Sequence, residues 1–430
     1  MKPKIVIVIG FIMFTLFAAR DARAQWVLTN WDGCTITTCL LVSGANTSSP
    51  MLFAGSDGCG VELSTDNGTN WTNVSAGLSG FGLNVNALAV HGSDLFAGTE
   101  DGVFVSTDNG TIWNPANAGL PQNTTIAAFA VSATNGSMPI LFASTEFPKA
   151  PGVFRSTDNG TGWQAVNTGL KDSNSVHAFA VIAANTSSPT IFSGTNNDGV
   201  FLSTNNGTTW NSANTGLTYT YGVLSFAVLD TNSASPIVFA GTWENGVFRS
   251  TDNGTSWNAE DTGLTDLKIN CFAVSGTNLF AGMDSNIFLS TDSGATWGNV
   301  SDGLYSIAQT EALAVSGTNL FVLAVGGDNL GDEIYSVWRR PLSDFNQSGV
   351  AEGGAAPAGS GLRVFPNPAT DELQIMGGEA GTVHLFDLMG RERMNAMDDG
   401  ANTTLDVSRL EAGMYFLRLG IESVRVVVQH

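Results

Sequence analysis

Short apolar segments recur along most of this chain, and a polar turn separates each from the next. In one stretch, residues 126–131, 139–144 and 152–156 are apolar runs, and a fourth run begins at Trp163 and ends at Gly169-Leu170. Runs of this length, bounded by Gly, Asn, Asp and Ser, are typical of β-strands. The pattern therefore predicts a repeating unit of four antiparallel strands, which is the blade of a β-propeller.

Near-copies of one eight-residue turn close six of these units, with the pattern S-T-D-N-G-T-x-W. The Asp carboxylate can accept main-chain N–H groups from the residues after it, and the Gly supplies the positive φ that a tight hairpin needs. The Trp is large enough to wedge between neighbouring sheets, so we expect a structural role for the turn. The residues at the third and eighth positions are Asp66 and Trp71, Asp108 and Trp113, Asp158 and Trp163, Asn205 and Trp210, Asp252 and Trp257, and Asp292 and Trp297.

The number of blades follows from the spacing of the turns and from the two ends of the repeat region. The turns start 42, 50, 47, 47 and 40 residues apart, which is typical of a propeller or a solenoid. A seventh unit has three strands, and Pro341-Leu342 stands where its turn would begin. The segment 25–30 resembles the strand that follows each turn, so we expect it to complete blade seven and leave no exposed sheet edge. The prediction is a seven-bladed propeller over residues 25–342; the alternative is six full blades with both ends loose.

The turn resembles the Asp-box, or BNR, repeat of sialidases, sortilin-type receptors and many bacterial surface proteins, because S-x-D-x-G-x-x-W recurs in register. In that family the box is structural, and Asn205 can close the same turn without charge, which makes a metal role at that position unexpected. A sialidase would also need three arginines at the centre of the ring and a Tyr–Glu nucleophile pair. Within the predicted propeller, residues 25–342, the only arginines are Arg155, Arg249, Arg339 and Arg340, so we do not predict sialidase activity.

Composition and the first residues indicate an exported protein. The 430 residues carry a formal net charge of −21, although only 13% of them are charged, and this balance argues against binding nucleic-acid phosphates. Lys2 and Lys4 precede an apolar run over residues 5–19, and Ala22-Arg23-Ala24 offers an A-x-A cleavage site. We therefore predict a secretory signal peptide over residues 1–24, cleaved after Ala24.

The four cysteines suggest a disulfide rather than a metal site. Cys34 and Cys39 are close in sequence and could pair in an oxidising compartment, with Cys59 as an alternative partner. Cys271 aligns with small residues of the other units and is interpreted as a small core residue. No cluster of Cys and His suggests zinc, so we predict no metal and no cofactor.

The chain changes character after the repeats. Residues 343–361 are rich in Gly, Ala and Ser and are predicted to be a flexible linker. The remainder, residues 362–430, contains Val364-Phe-Pro-Asn-Pro368, Leu385-Phe-Asp-Leu-Met-Gly-Arg391 and Leu410-Glu-Ala-Gly-Met-Tyr-Phe-Leu-Arg418. These motifs resemble the type A C-terminal sorting domain of the type IX secretion system of Bacteroidota. The resemblance implies an Ig-like β-sandwich that an outer-membrane translocon reads and a sortase-like peptidase removes, the cargo then being released or joined to surface lipopolysaccharide.

Any ligand is expected on the face opposite the turns, where the loops between strands two and three and the loops that join blades project. Aromatic side chains beside carboxylates suit sugars, and carboxylates also suit Ca²⁺, although no pattern specifies a calcium site. We place a candidate patch at Trp243, Tyr219, Tyr221, Glu244 and Asp101. The prediction is an all-β protein, secreted or at the outer cell surface, that binds a glycan or a protein. The alternatives are an extracellular glycoside hydrolase using a carboxylate pair and a passive scaffold.

Overall fold

The computed structural model describes residues 26–30, 37–44, 50–132, 139–146, 152–170, 175–182, 189–218, 222–229, 236–302, 304, 307–327, 333–345, 363–365, 372–376, 381–387, 392–398, 402–410, 413–419 and 422–428. The predicted signal peptide with Ala24, together with Cys34, Tyr219 and Tyr221, lies outside these residues. The chain divides into two compact units, Met1–Val350 and Ala351–His430.

The first unit contains seven four-stranded sheets, as the sequence predicts for a seven-bladed β-propeller. Strand β1 is Val27–Leu28. Blade one has β2 (Thr37–Ser43), β3 (Met51–Ser56), β4 (Gly60–Ser64) and β5 (Thr72–Asn73). Blade two has β6 (Val85–His91), β7 (Asp94–Thr99), β8 (Gly102–Ser106) and β9 (Asn114–Pro115). Blade three has β10 (Ile126–Ser132), β11 (Ile140–Thr145), β12 (Gly152–Ser156) and β13 (Gln164–Ala165). Blade four has β14 (Val176–Ile182), β15 (Thr190–Thr195), β16 (Val200–Ser203) and β17 (Asn211–Ser212).

The remaining strands of this unit follow the same pattern until blade seven. Blade five has β18 (Val223–Leu229), β19 (Ile237–Thr242), β20 (Val247–Ser250) and β21 (Asn258–Ala259). Blade six has β22 (Cys271–Ser275), β23 (Asn278–Gly282), β24 (Ile287–Ser290) and β25 (Gly298–Asn299). Blade seven has β26 (Ile307–Ser316), β27 (Asn319–Gly327) and β28 (Glu333–Pro341), and β1 is its fourth strand. Two short 3-10 helices are Gly80–Leu83 and Leu342–Asp344.

The ring is closed by contacts between the first strands of successive blades. Each first strand contacts the first strands of both neighbouring blades, and β26 contacts β2. The second strand of each blade is almost fully buried, because both faces of its sheet pack against other blades. A buried Phe of this strand packs against the turn of the next blade. For example, Phe142 of blade three lies so close to Gly207 in the turn of blade four that a Cβ added at Gly207 would lie 2.5 Å from its Cε1. The turns therefore contribute to the packing between blades.

The turn tryptophans join each blade to the one before it through hydrogen bonds. In blades two to six the indole N–H donates to a main-chain carbonyl of the preceding blade. These bonds run from Trp113 to Val74 (2.8 Å), Trp163 to Ala116 (2.9 Å), Trp210 to Val166 (2.8 Å), Trp257 to Ala213 (2.8 Å) and Trp297 to Glu260 (2.9 Å). All five are nearly fully buried, whereas Trp71 of blade one is half-buried. Each indole thus combines buried apolar area with a directed inter-blade bond.

Blade seven has no turn tryptophan, and the N-terminal strand supplies one. Strand β1 pairs antiparallel with β28, with Val27 opposite Arg339 and Leu28 opposite Trp338. The indole of Trp26 is 5% exposed and donates its N–H to the carbonyl of Val300 in blade six, 3.2 Å away. Trp26 therefore makes for blade seven the contact that the turn tryptophans make for blades two to six.

Two further side chains complete this seam. Arg340 donates to the same Val300 carbonyl at 3.0 Å and lies 4.7 Å from the ring centroid of Phe345. Phe345 is 2% exposed and its centroid is 6.2 Å from that of Trp26. Burial lowers the pKa of the Arg340 guanidinium, and nearby Asp344 opposes this shift. Residues 343–345, which the sequence analysis assigned to the linker, thus include part of the packing of blade seven. The sequence analysis missed this because the Gly-rich composition begins only after them.

The polar residues of the repeated turn are hydrogen-bonded to each other in the same way in every copy. In blade three the Ser156 hydroxyl donates to Asp158 Oδ1 at 2.7 Å and accepts the N–H of Gly160 at 2.9 Å. The same Asp158 oxygen accepts the N–H of Gly162 at 2.8 Å. Positive φ occurs at two successive positions, Asn159 (59°) and Gly160 (82°). Asn therefore recurs before the Gly because it tolerates the left-handed region better than other residues with a Cβ.

Blade four shows that the same hydrogen bonds form when the third residue of the turn carries no charge. The Asn205 Oδ1 accepts the Ser203 hydroxyl and the Thr209 N–H, both at 2.9 Å. In the other copies the hydrogen bonds favour the carboxylate and lower its pKa. The largest contribution is the N–H of Asn70 for Asp66, the N–H of Ile112 for Asp108 and the Ser256 hydroxyl for Asp252. For Asp158 and Asp292 desolvation by burial raises the pKa, but the hydrogen bonds outweigh it.

We expect these carboxylates to make the propeller acid-sensitive. A carboxyl whose folded pKa lies below its unfolded value, about 3.9 for Asp, stabilises the fold above that value and loses the contribution as the pH falls through the folded pKa. Replacing the five turn aspartates by asparagine should lower the urea midpoint near pH 7, because the neutral amides lack the contribution of the carboxylates, and should reduce its decline below about pH 4. An unchanged slope of urea midpoint against pH would contradict this account. Asn205→Asp is the matched control and should steepen the decline.

The predicted disulfide between Cys34 and Cys39 is wrong. Cys39 is a free thiol, and Cys59 is the cysteine that takes part in a disulfide. The position of Cys39 in β2 explains this, because Cys39 lies opposite Gly55 of β3. Its Sγ packs so closely on Gly55 that a Cβ added there would lie only 2.6 Å from the sulfur. Burial raises the pKa of the Cys39 thiol to about 11. Cys271 is also a free thiol, half-buried, in the equivalent place beside Gly282.

The second unit is a small all-β module with two antiparallel sheets. One sheet has β29 (Arg363–Phe365), β30 (Glu372–Met376) and β33 (Asn402–Asp406). The other has β32 (Glu392–Asp398), β31 (Gly381–Asp387), β34 (Gly413–Leu419) and β35 (Glu422–Val428). Leu373, Leu385, Leu405 and Leu417 from both sheets share one buried core, as in an Ig-like sandwich. Strand β32 cannot be predicted from its own sequence, ERMNAMD, which lacks the β-branched and aromatic residues that indicate strands.

Candidate ligand-binding site

Trp243 lies at the tip of the short loop between β19 and β20 of blade five. The loop is held closed at its base, because the Thr242 hydroxyl donates to the Gly246 carbonyl at 2.9 Å and accepts the Asn245 N–H at 3.0 Å. Loops of this kind recur in other blades; in blade two the Thr99 hydroxyl donates to the Gly102 carbonyl at 3.0 Å. A repeated structural loop therefore holds residues 243 and 244 at its tip, where the sequence is free to vary.

The Trp243 indole is exposed, whereas its backbone is fixed. Its side chain is 47% exposed, whereas the main-chain N–H of Trp243 donates to the Gly222 carbonyl at 2.8 Å. Gly222 in turn donates to the Asn196 carbonyl of blade four at 2.7 Å. Gly222 has a φ of 59°, and a Cβ there would lie 2.7 Å from the Cβ of Trp243. Gly222, in the loop between blades four and five, thus supports the backbone of Trp243, and no other residue can replace this glycine without strain.

A polar group from the loop between blades five and six lies against the ring. The Lys268 ammonium is 4.4 Å from the centroid of Trp243 and 2.9 Å from Asp284 Oδ1. Asn270 also donates to this Asp284 oxygen, at 3.1 Å. Leu267 is 41% exposed next to them in the chain. We call Trp243, Leu267, Lys268, Asn270 and Asp284 the Trp243 cluster.

Main-chain bonds fix the two loops of the cluster to each other. Gly246 donates to the Leu267 carbonyl and Ile269 donates to the Thr242 carbonyl, both at 2.8 Å. The segment before β22 therefore runs beside the Trp243 loop like an added strand. A binding surface whose backbone is already ordered avoids part of the entropy cost of binding.

The structure supports the position of some predicted patch residues and separates others. Trp243 and Glu244 lie together at the loop tip, and Glu244 is exposed. Asp101 occupies the equivalent loop of blade two, so blades three and four separate it from the Trp243 cluster. Lys268, Leu267 and Asn270 were not predicted. The sequence feature that could have singled out Lys268 is the rarity of lysine: residues 25–342 contain only Lys149, Lys171 and Lys268.

The arginines of the propeller are used elsewhere. Arg155 donates to the Asn206 carbonyl in the next blade's turn at 2.9 Å, and Arg339 makes the corresponding bond to Asn67. Arg249 pairs with Glu260 at 3.6 Å, and Arg340 lies in the seam already described. These four side chains join blades or strands and do not converge on one point. Among the described residues, no group of three or more His, Cys, Asp or Glu could hold a metal ion.

One further charged pair lies on the ligand face. Glu146, at the end of β11, is 3.5 Å from Nδ1 of His177 at the start of β14. Both side chains are about one-third exposed, so the pair is solvated. It belongs to blades three and four and makes no described contact with the Trp243 cluster.

Comparison with known proteins identifies both units by type. Residues 363–429 match the family model of the secretion system C-terminal sorting domain, and residues 40–228 match that of the DUF6242 beta propeller domain. No curated protein matches the chain. Within the described residues, no helix is long and apolar enough to cross a membrane.

Solved structures share the fold at low sequence identity. YCF48 bound to D1 peptide is 13% identical with a TM-score of 0.54, over 74% of this chain and 97% of that one. U3-55K is 14% identical with a TM-score of 0.54, over 74% of this chain and 98% of that one. PorZ, an essential surface component of the type IX secretion system of Porphyromonas gingivalis, is 15% identical with a TM-score of 0.51. That match covers 94% of this chain but only 61% of PorZ.

The match to the sorting-domain model and the two-sheet module agree on how the chain is delivered. The match to the sorting domain ends one residue before the last, and the strands β29 to β35 lie within it. This chain is a seven-bladed β-propeller that carries a type IX C-terminal sorting domain, and it is exported to the cell surface or secreted.

Proposed function

We propose that this protein is an extracellular binding protein whose propeller holds a glycan or a protein ligand at the Trp243 cluster. The observation that carries the proposal is the exposed Trp243 indole on a backbone that neighbouring loops fix by hydrogen bonds. An exposed aromatic side chain beside an ordered carboxylate, amide and ammonium is typical of sugar-binding sites and of the hot spots of protein–protein interfaces. Glu244 extends this proposed surface, whereas Asp101 would contribute to a separate part of the face. Tyr219 and Tyr221 stay predicted members of the patch and lie outside the described residues.

We also propose that the sorting domain acts as an address. Residues 362–430 would be recognised by the translocon and removed by a sortase-like peptidase, with release of the propeller or its attachment to surface lipopolysaccharide. The boundaries that fit this model are a signal peptide at 1–24, a propeller from 25, and a linker that ends at 361. The repeated turn has the hydrogen-bonding expected of an Asp-box, which supports a structural interpretation of the BNR resemblance.

Replacing Trp243 by alanine tests the binding proposal. We expect at least about a tenfold loss of affinity for the captured ligand, because aromatic hot spots commonly contribute 2 kcal/mol or more, by order of magnitude. The measurement is a glycan array followed by titration of the best binder, together with a screen of purified surface proteins.

Phe81→Ala is the matched control, since Phe81 is 69% exposed on a loop between blades one and two. Equal binding by Trp243→Ala and the wild type would contradict the proposal. Turnover of a polysaccharide by the wild type would favour the hydrolase alternative instead. Absence of any ligand in both screens would favour the scaffold.

A further inference from the structure

Lys268 already occupies part of the surface that a ligand would use. We propose that the Trp243 cluster is a receptor for the lysine or arginine side chain of a partner protein, and that Lys268 is an internal occupant which the partner's cation displaces. The inference rests on the proposed function and assigns the chemical class of its ligand.

The geometry of Lys268 shows what the cluster accepts. Its ammonium lies over the indole face at 4.4 Å and is 2.9 Å from the Asp284 carboxylate. An aromatic face and a carboxylate on the same cation form the arrangement that recognises alkylammonium and guanidinium groups in proteins. The Asn270 amide donates to the same carboxylate oxygen and helps to hold it in place. A second cation could therefore bind in the same position once Lys268 rotates away.

The exposure of the three side chains is consistent with such an exchange. The side chain of Asp284 is 38% exposed and that of Trp243 is 47% exposed, whereas that of Lys268 is only 17% exposed. The receptor groups are thus open to solvent while the occupant is largely covered by them. Lysine also has a long flexible stem, so its ammonium can move into water without a change of backbone.

The charge of the described loops on this face favours a cation. Lys268 is the only Lys or Arg among the described residues of the loops on this face. The described acidic residues of these loops are Asp57, Glu100, Asp101, Glu146, Asp198, Glu244, Glu260, Asp261, Asp266, Asp284 and Asp302. Such a field attracts basic segments and repels anionic ligands such as sialosides or phosphorylated glycans. A neutral sugar would gain nothing from the field, and part of the ring face is already covered.

The test uses the full chain and two labelled peptides of equal length, one alternating Gly with Lys and the other alternating Gly with Glu. Fluorescence anisotropy at low salt should show binding of the Lys peptide only, weakening as salt is added. Lys268→Ala should bind the Lys peptide about three- to tenfold more tightly than the wild type, because the internal competitor is gone. Trp243→Ala and Asp284→Asn, each added to Lys268→Ala, should abolish that gain.

Two controls separate this result from a general charge effect. Asp57→Asn removes one negative charge from the same face in blade one and should leave the gain from Lys268→Ala intact. A thermal melt checks that each variant is folded. Unchanged or weaker binding of the Lys peptide by Lys268→Ala would overturn the inference. A neutral glycan that binds in a Trp243-dependent way, with no peptide binding, would overturn it while leaving the proposed function in place. If no probe depends on Trp243, both fail.

Discussion

Trp26→Ala is expected to destabilise the propeller by about 3–5 kcal/mol, the usual cost of truncating a fully buried aromatic side chain. The indole joins blades six and seven through the Val300 carbonyl and packs against Phe345, so its loss also leaves the N-terminal strand weakly held. The measurement is the free energy of unfolding from urea titration. Because β1 is the last element to close the ring, we also expect hydrogen exchange to increase in β28 before it increases in blades two to five.

The matched control is Trp243→Ala, the same substitution at an exposed indole. It should change the free energy of unfolding by less than about 1 kcal/mol, since surface substitutions usually have small effects. If both variants unfold at the same urea concentration as the wild type, the seam does not depend on Trp26. The open-ended alternative with six full blades would then fit the solution behaviour better.

Gly169→Ala is expected to have an effect of similar size, for a different reason. Gly169 follows the fourth strand of blade three with a φ of 97°, and a Cβ there would lie 2.0 Å from the main-chain oxygen of Trp210 in the next blade. The left-handed conformation alone costs a residue with a Cβ about 1–2 kcal/mol. The clash with backbone adds to this, because neither blade can move without disturbing its neighbours. We expect a total loss of more than about 3 kcal/mol, measured as for Trp26.

Gly58→Ala isolates the conformational part of that cost. Gly58 has a φ of 86°, but nothing lies within 4 Å of an added Cβ. The Gly58→Ala variant should therefore lose only as much stability as the left-handed conformation costs a residue with a Cβ. Equal losses at the two positions would show that the close contact between blades is relieved at no cost. The same close approach recurs at Gly77, Gly119, Gly216 and Gly263.

The fold could be read from the sequence because its determinants are local and repeated. The turn pattern carries its own hydrogen bonds, and six copies fix the period of the blades. The pairing of the N-terminal segment with blade seven could also be predicted, because residues 25–30 resemble the strand that follows the turn in the other units. Strand β32 was less accessible, since its residues do not favour strands and only its neighbours β31 and β33 place it.

The candidate site was only partly accessible, because it depends on contacts between segments that are distant in sequence. Trp243 stood out as an aromatic residue at a loop tip. That Lys268 lies on its ring, and that Asp284 and Asn270 complete the group, follows from the arrangement of blades five and six rather than from any motif. The disulfide was predicted wrongly for a related reason. Proximity of Cys34 and Cys39 in sequence says nothing about which face of β2 carries the Cys39 side chain.

The seam between β1 and β28 has a consequence for how the chain reaches its native state. Trp26 and Val300 are separated by 274 residues, so the contact that completes the ring has one of the largest loop-closure costs in the molecule. A chain made from its N-terminus must keep β1 unpaired until all of blade seven is available. Until then blade one and blade six each present an open side, a state that favours misassembly with other copies. Premature termination anywhere before β28 should therefore yield an aggregation-prone fragment rather than a smaller stable propeller.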